Sequence, residues 1–417
     1  VHSDTSLSIS MCSQLSNWCC LPSGWPSGRK GSAVVVPRKS TPQDEQESKA
    51  STEELRLAPS PYSIAAQGLV ITGGVSSSTI SKAVPRFVWE DVVGNSESQK
   101  ALCEALASRG FLILAMPAGV RDAVLRMRAL AEEFFNRPRD ERYALGRLRL
   151  YRDKVIGYRE LGGGFARFLE VHTMCGGGAI PAPKAPKGLG PTAVQLHREL
   201  QATARLLLSW LSAHAGIPED AILQSLDGAA LENLQDGDCS ASVLRLCSYG
   251  FQAESEDASA ADNSGVFFDE HTDASFLTLA PVGSTPGLQF RDTSNPELSW
   301  LDVETETHAS ECENLVVFVG DFLEVLTKGY FSAARHRVCG QELSQRRLSM
   351  PFLVRGQPNA YLDTTRFLGS EEGRQESMPL LRLEGMRYSA LRQFLDLKGR
   401  RRFRGTRLLV APENEQK

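Results

Sequence analysis

The stretch HTDASFLTL, residues 271–279, sets His271 and Asp273 two apart at the head of a run of small, apolar and β-branched residues. A histidine and a carboxylate are expensive to bury alone, so the pair is either solvated at a loop edge or holding something. On a strand, residues i and i+2 share a face, which lets both side chains reach one ion. An H-x-D by itself is a weak signal and needs a third ligand from a different strand. The chain has seven histidines. His2 lies in the N-terminal tail and His308 in the polar stretch ETETHASECEN. His172, His197 and His214 fall in or beside a helical half, where a helix-surface or cap role is expected. Only His336, in ARHRVCG, sits in a late short strand among small and apolar neighbours. His271, Asp273 and His336 then form a two-histidine, one-carboxylate set, the facial triad of non-haem Fe(II) oxygenases, which leaves metal positions open. Zinc is the competing metal, because the same donors serve catalytic zinc. The H-E-x-x-H helix motif of many zinc hydrolases is absent.

Arg347 and Ser349 follow in RRLSMPF, on what is expected to be the strand adjacent to that of His336 in a hairpin. They share a face by the period of two. A guanidinium binds a carboxylate through a planar fork, and a serine hydroxyl can add a hydrogen bond. A buried arginine without an anion is costly. The anion is either a ligand carboxylate or a protein carboxylate such as Glu342.

Two kinds of element must position these residues. PRFVWEDV reads as a short strand, residues 94–109 as a helix closed by Gly110, and FLILAM (111–116) as a buried strand. In the next segment Val120, Val124, Met127, Leu130, Ala131 and Phe134 recur every three or four residues, one helix face that Pro138 ends. A Gly/Pro-rich connection (175–190) leads to a second long helix, 191–214, with Pro191 in its first turn and a stripe of Leu200, Leu207, Leu208 and Leu211. Beyond residue 240, SVLRLCSYG, FLTLAP, GLQFRD, LVVFVGD, ARHRVCG and RRLSMPFLV are short β-type runs between turns, which suggests a sandwich or barrel, a jelly roll among them. A helix is expected again at 384–397, and the basic run KGRRRFRGTR (398–407) reads as a solvated tail. The expected organisation is a tail over 1–84, a helical and mixed region over 85–235, a β core over 236–360 and a C-terminal helix with its tail over 361–417.

Residues 1–84 are rich in Ser, Pro, Gly and Gln without a sustained period and are expected to be disordered. Their acid-poor start is also compatible with an organelle-targeting segment. The sequence begins at Val1, so the true N-terminus is expected to be either missing or processed. A net charge of −4 makes no electrostatic case for nucleic-acid or membrane partners. No apolar run approaches the roughly 18 residues of a membrane span. The nine cysteines form no C-x-x-C pairs at zinc spacing and are expected to be reduced thiols of a cytoplasmic protein.

The segment 240–356 resembles the 2-oxoglutarate and Fe(II)-dependent dioxygenases of the isopenicillin N synthase-like group. The matching stretches are LRLCSYG, HTDASFLTL, GLQF, FVGDFLEVLTKGYFSAARHRV and RRLSMPF. GFLILAMPAGVRDAVLRMRALAEEFFNRPRDERY is similar to that family's N-terminal region, and GYRELGGGFARFLEVH to its linking segment, so the likeness covers about 85–397. It implies a mostly β fold with helices, a distorted jelly-roll (double-stranded β-helix) core braced by helices. It implies His271, Asp273 and His336 as iron ligands, with Arg347, Ser349 and Tyr249 around the distal carboxylate of 2-oxoglutarate. It also implies dioxygen as the oxidant and a small organic substrate that is hydroxylated or desaturated, while the cosubstrate becomes succinate and carbon dioxide. Two positions depart from the pattern. Cys247 stands where Asn is common, and Gly250 where Pro is common. The segment 251–270 is longer and more acidic than the resemblance leads one to expect and reads as a solvated insertion at the barrel mouth. Asp321 is given a structural role and Gly287 a turn or bulge. The rival readings are a 2-oxoglutarate-independent Fe(II) oxidase of the same fold and a non-catalytic ligand- or partner-binding descendant.

Overall fold

The computed structural model describes residues 84–151, 154–161, 166–181, 183–228, 237–250, 266–292, 300–304, 313–340, 346–362 and 386–388. The N-terminal tail, His308, Glu342, the basic run at 398–407 and most of the 251–270 segment lie outside them.

The chain begins with β1 (Arg86–Val88), α1 (Trp89–Gly94) and α2 (Ser96–Arg109). The Asn95 side chain caps α2 by accepting the Glu97 and Ser98 amides, and Gly110, at φ 78°, ends it in the left-handed conformation. There follow β2 (Phe111–Ala115), α3 (Ala118–Phe135) and α4 (Arg139–Leu145). Next come β3 (Arg149–Tyr151), β4 (Lys154–Leu161), β5 (Ala166–Thr173) and β6 (Ala179–Ile180). The long helix α5 (Leu189–His214) and the short α6 (Glu219–Leu223) complete the first half. The second half holds β7 (Val243–Tyr249), β8 (Val266–His271), β9 (Leu277–Pro281), β10 (Leu288–Arg291), β11 (Trp300–Asp302) and β12 (Asn314–Val319). It continues with α7 (Asp321–Leu326), β13 (His336–Cys339), β14 (Arg347–Ser349), β15 (Phe352–Val354), β16 (Tyr361–Leu362) and β17 (Met386–Arg387).

These strands make a large sheet, in the order β1-β2-β12-β9-β15-β7-β5-β4-β3, and a smaller one, β11-β10-β13-β8. Strand alternation separates two layers of core. Leu112 and Leu114 of β2, Leu315, Val317 and Val319 of β12, Leu277 and Leu279 of β9 and Leu244 and Leu246 of β7 join the stripes of α2, α3 and α5 in one apolar cluster. Their neighbours Phe111, Ile113, Val316, Phe318, Ala280, Cys247 and Tyr249 join Phe267, Leu288, Phe290 and Val338 of the smaller sheet in the other. The strands of the large sheet are covered on both faces, which is why FLILAM and LVVFVGD read as continuous apolar runs rather than alternating ones. Two β sheets face to face with helices on one side form the jelly-roll core braced by helices that the sequence suggests. The large sheet takes strands from both halves: β2 pairs with β12, and β5 with β7.

The structure differs from the sequence reading in four places. The β4–β5 hairpin, with β5 buried throughout, stands where only a linking segment is expected. Residues 386 and 387 pair as β17 with β16 instead of starting a helix, and the rest of that expected helix beyond Tyr388 lies outside the described residues. HTDASF is a turn, since β8 ends at His271 and β9 starts at Leu277. His172 and His197 are not surface residues: His172 is buried on β5 with Nδ1 2.8 Å from the Ser240 carbonyl, and His197 is buried on α5 with its ring edge-on to Phe352. Among the described residues no helix is long and apolar enough to cross a membrane.

Burial holds the His197 imidazole neutral, down to about 4. Its folded value lies below its unfolded one, so the unfolded state binds the extra proton as pH falls from about 6.5, and stability is lost across that window. The loss is on the order of 3 kcal/mol once pH reaches the folded value. His197→Met removes it. The melting temperature of this variant relative to the parent should rise as pH falls from 7 to 4.5, and a pH-independent difference would refute the assignment.

Candidate active site

The direct pairing of β13 with β8 sets His336 opposite His271. Their ring centroids lie 4.2 Å apart. Asp273 reaches the same point from the turn after β8, its Oδ1 3.8 Å from His271 Nε2. One ligand atom from each of the three lies within 4.8 Å of the others. The structure brings together the three residues the sequence singles out, although Asp273 is not on a strand. That turn is held by the backbone: the Asp321 amide donates to the Asp273 carbonyl at 2.8 Å and the Phe322 amide to that of Ser275 at 3.0 Å. Asp321 opens α7 and holds the turn through its main-chain amide, and no side chain caps the helix start. Gly320 allows the close approach, because a Cβ there would lie 2.3 Å from the Ser275 carbonyl oxygen.

The second contacts orient the first. His271 Nδ1 is 2.8 Å from the Asp269 carbonyl and His336 Nδ1 is 3.0 Å from that of Ala334. A carbonyl only accepts, so each Nδ1 carries the proton and each Nε2 offers its lone pair to the shared point. Thr278 Oγ1 donates to Asp273 Oδ2 at 2.7 Å and leaves Oδ1 facing the histidines. Burial, and then the neighbouring His336, push the His271 imidazole down to about 3, which keeps it neutral. Burial raises the Asp273 carboxyl, but His336, His271 and Thr278 together hold it below its usual range. A neutral His271 imidazole and an ionised Asp273 carboxylate are the protonation states a metal requires of them.

These groups open on a cleft of about 540 Å³ between the sheets, lined also by Phe168, Arg245, Cys247, Tyr249, Phe318, Arg347 and Ser349. Arg347 and Ser349 reach it from the large sheet, a difference from the hairpin expected with His336. β14 pairs with β7, Arg347 opposite Tyr249 and Ser349 opposite Cys247. The Arg347 Cζ is 5.9 Å from the Tyr249 ring centre, and that ring stacks on Phe267. Arg347 already has a protein carboxylate, Glu304, whose two oxygens lie 2.9 and 3.0 Å from Nη2. Its Nε and Nη1 are buried with no hydrogen-bond partner among the described residues.

Gly250 has φ 102°, which a proline ring cannot adopt, and this accounts for the departure at that position. Gly287 is present for space, since a Cβ there would lie 2.2 Å from the Cys339 carbonyl oxygen and 3.1 Å from Arg347 Nε. Thr278, Glu304 and Arg245 escape the sequence reading. Arg245 lines the cleft and is held by Glu170, Nε at 2.9 Å and Nη2 at 2.8 Å, with Arg159 on the same oxygen at 3.1 Å. Burial raises Glu170, yet Arg159, Arg245 and Arg355 bring it down to about 2. The one usable signal is the i+2 relation of Arg245 to Cys247 and Tyr249 on a single strand face.

Residues 240–356 match the family model of the 2OG-Fe(II) oxygenase superfamily. Gibberellin 2-beta-dioxygenase 1 of Pisum sativum is 32% identical over 114 residues, 24% of this chain and 32% of that protein. 1-Aminocyclopropane-1-carboxylate oxidase homolog 3 of Arabidopsis thaliana is 24% identical over 301 residues, 68% of this chain and 71% of that protein. The chain thus spans about a third of the length of the first relative and about seven-tenths of the second. The dioxygenase for auxin oxidation 1 from Arabidopsis thaliana, solved as a complex with 2-oxoglutarate, superposes with a TM-score of 0.52 at 17% identity, over 70% of this chain and 100% of that one, and shares its fold. The likeness to the 2OG-Fe(II) oxygenase superfamily thus lies in the segment 240–356.

Thr278→Val should free Asp273 Oδ2 and lower Fe(II) affinity about tenfold or more, the usual effect of losing an outer partner. An anaerobic metal titration measures it; unchanged affinity in a folded variant would show that Thr278 does not orient the carboxylate.

Proposed function

We propose that this protein is a non-haem Fe(II) dioxygenase that couples decarboxylation of 2-oxoglutarate to oxidation, by hydroxylation or desaturation, of a small organic molecule. The observation that carries the reading is the convergence of His271, Asp273 and His336 with both imidazoles locked in the metal-binding tautomer. Such a set takes one face of a metal and leaves the opposite face open. The donors fit Fe(II), and with dioxygen and a 2-oxo acid the bound metal supplies oxidation of a substrate C–H bond alongside release of succinate and carbon dioxide.

The chain's own residues hold and orient. Asp273 balances metal charge, and Thr278 fixes which oxygen faces inward. Phe318 and Phe290 pack around His336 and Phe268 around His271, which keeps water from the ligands and limits ring motion. Arg347 offers Nε and Nη1 to the distal carboxylate of the 2-oxo acid, with Ser349 and Tyr249 beside it on the same cleft wall. Burial of those two donors without a partner among the described residues supports a ligand there, because an unmade hydrogen bond in the interior is costly.

Anaerobic addition of Fe(II) and 2-oxoglutarate should give a weak visible charge-transfer band. His336→Ala should abolish it, and Arg347→Ala should weaken 2-oxoglutarate binding about three- to tenfold, the net worth of a single hydrogen bond. Iron binding without a band would favour a direct Fe(II) oxidase, and no iron binding would favour a non-catalytic binder.

A further inference from the structure

We propose that Glu304 is a specificity-determining residue of the cosubstrate subsite, a resident carboxylate that shares Arg347 and weakens its hold on a second one. The proposal rests on the function inferred above. Glu304 is 1% exposed and Arg347 2% exposed, so the pair meets inside the protein. The carboxylate is fixed without the arginine: Gly283 N–H donates to Oε1 at 2.8 Å and Leu288 N–H to Oε2 at 2.9 Å. It cannot swing aside when a ligand arrives. The guanidinium is equally confined. A Cβ on Gly283 would lie 2.8 Å from its Nη2, and one on Gly287 3.1 Å from its Nε, so the backbone presses on the group from both glycines.

Nη2 is spent on Glu304, whereas Nε and Nη1 are buried without a partner among the described residues. A carboxylate brought to those donors is attracted by the guanidinium and repelled by Glu304 at short range. In a low-dielectric interior both forces are strong, so the gain from the distal carboxylate is a small difference between them. Binding then depends mainly on the keto-acid end at the metal. The arginine is kept in register for a dicarboxylate but does not capture anions by itself. A residue with a merely structural role would weaken binding when altered, whereas a competing charge strengthens binding when removed.

The test compares 2-oxoglutarate with 2-oxobutyrate, which has the same keto-acid end and no distal carboxylate. Dissociation constants are read from the charge-transfer band of the full chain with Fe(II) under anaerobic conditions. In the parent protein the advantage of 2-oxoglutarate should be below about tenfold. In Glu304→Gln, which keeps the shape and one carbonyl acceptor, that advantage should grow at least threefold while 2-oxobutyrate affinity and Fe(II) affinity stay the same. An equal or smaller advantage in the folded variant would overturn the proposal. If the variant does not fold, the parent decides: an advantage above tenfold overturns the proposal and a smaller one supports it. A parent that binds neither keto acid refutes the dioxygenase reading itself, a result distinct from failure of the Glu304 proposal alone.

Discussion

The pairing of His336 with His271 across β8 and β13 is the contact on which the site depends. It converts a separation of 65 positions in the chain into facing side chains, and it does so through the pairing of two strands. Asp273 needs no strand of its own. It follows the paired histidine by two residues and is tied down by α7, whose first amides bond to the turn carbonyls. The positions of His271, Asp273 and His336 are therefore set largely by main chain, whose carbonyls also fix the histidine tautomers, while Thr278 orients the Asp273 carboxylate.

The larger constraint is the alternation of the large sheet. One face of each central strand is spent on the helices α2, α3 and α5, and the other faces the cleft. On β7 this leaves Leu244 and Leu246 in the helix-side core and Cys247 and Tyr249 among the cleft-lining residues, with Arg245 beside them. A one-residue slip of β7 would carry the cleft-lining residues into the helix-side core and the leucines into the cleft. The helix stripes beginning at Val120 and at Leu189 thus bear on the chemistry, since they hold the register of the wall that Arg347 and Tyr249 share.

What the sequence made legible follows from range. The helix faces, the Gly110 stop, the apolar strands and the candidate triad His271, Asp273 and His336 are encoded by neighbours within a few positions or by residue types too costly to bury idly. The partner of Arg347 was not legible. Glu342 is nearest in sequence, but Glu304 takes the bond, and nothing local in WLDVETETH marks a buried carboxylate. Its burial is accompanied by bonds from the Gly283 and Leu288 amides, one in the turn after β9 and the other at the start of β10. The strand pairing of Arg347 was misplaced for the same reason: short distance along the chain suggested a hairpin, whereas the sandwich sends β14 to the opposite sheet. His172 and His197 were misplaced because a lone histidine carries no signature that separates a buried neutral ring from an exposed one.

Both arginines of the cleft wall are met by a buried glutamate, Arg245 by Glu170 and Arg347 by Glu304. A buried pair of this kind adds little net stability, because each ion's desolvation offsets most of the attraction. Its effect is to fix position. Glu304 also accepts two backbone amides, so it places the guanidinium relative to the main chain as well as neutralising it. The arrangement keeps a strong cation on the wall of the cleft without leaving it bare, and two of its donors have no partner among the described residues. Affinity at that end and order at that end are then opposed: the carboxylate that holds the arginine still is the one that competes with what the arginine is held for.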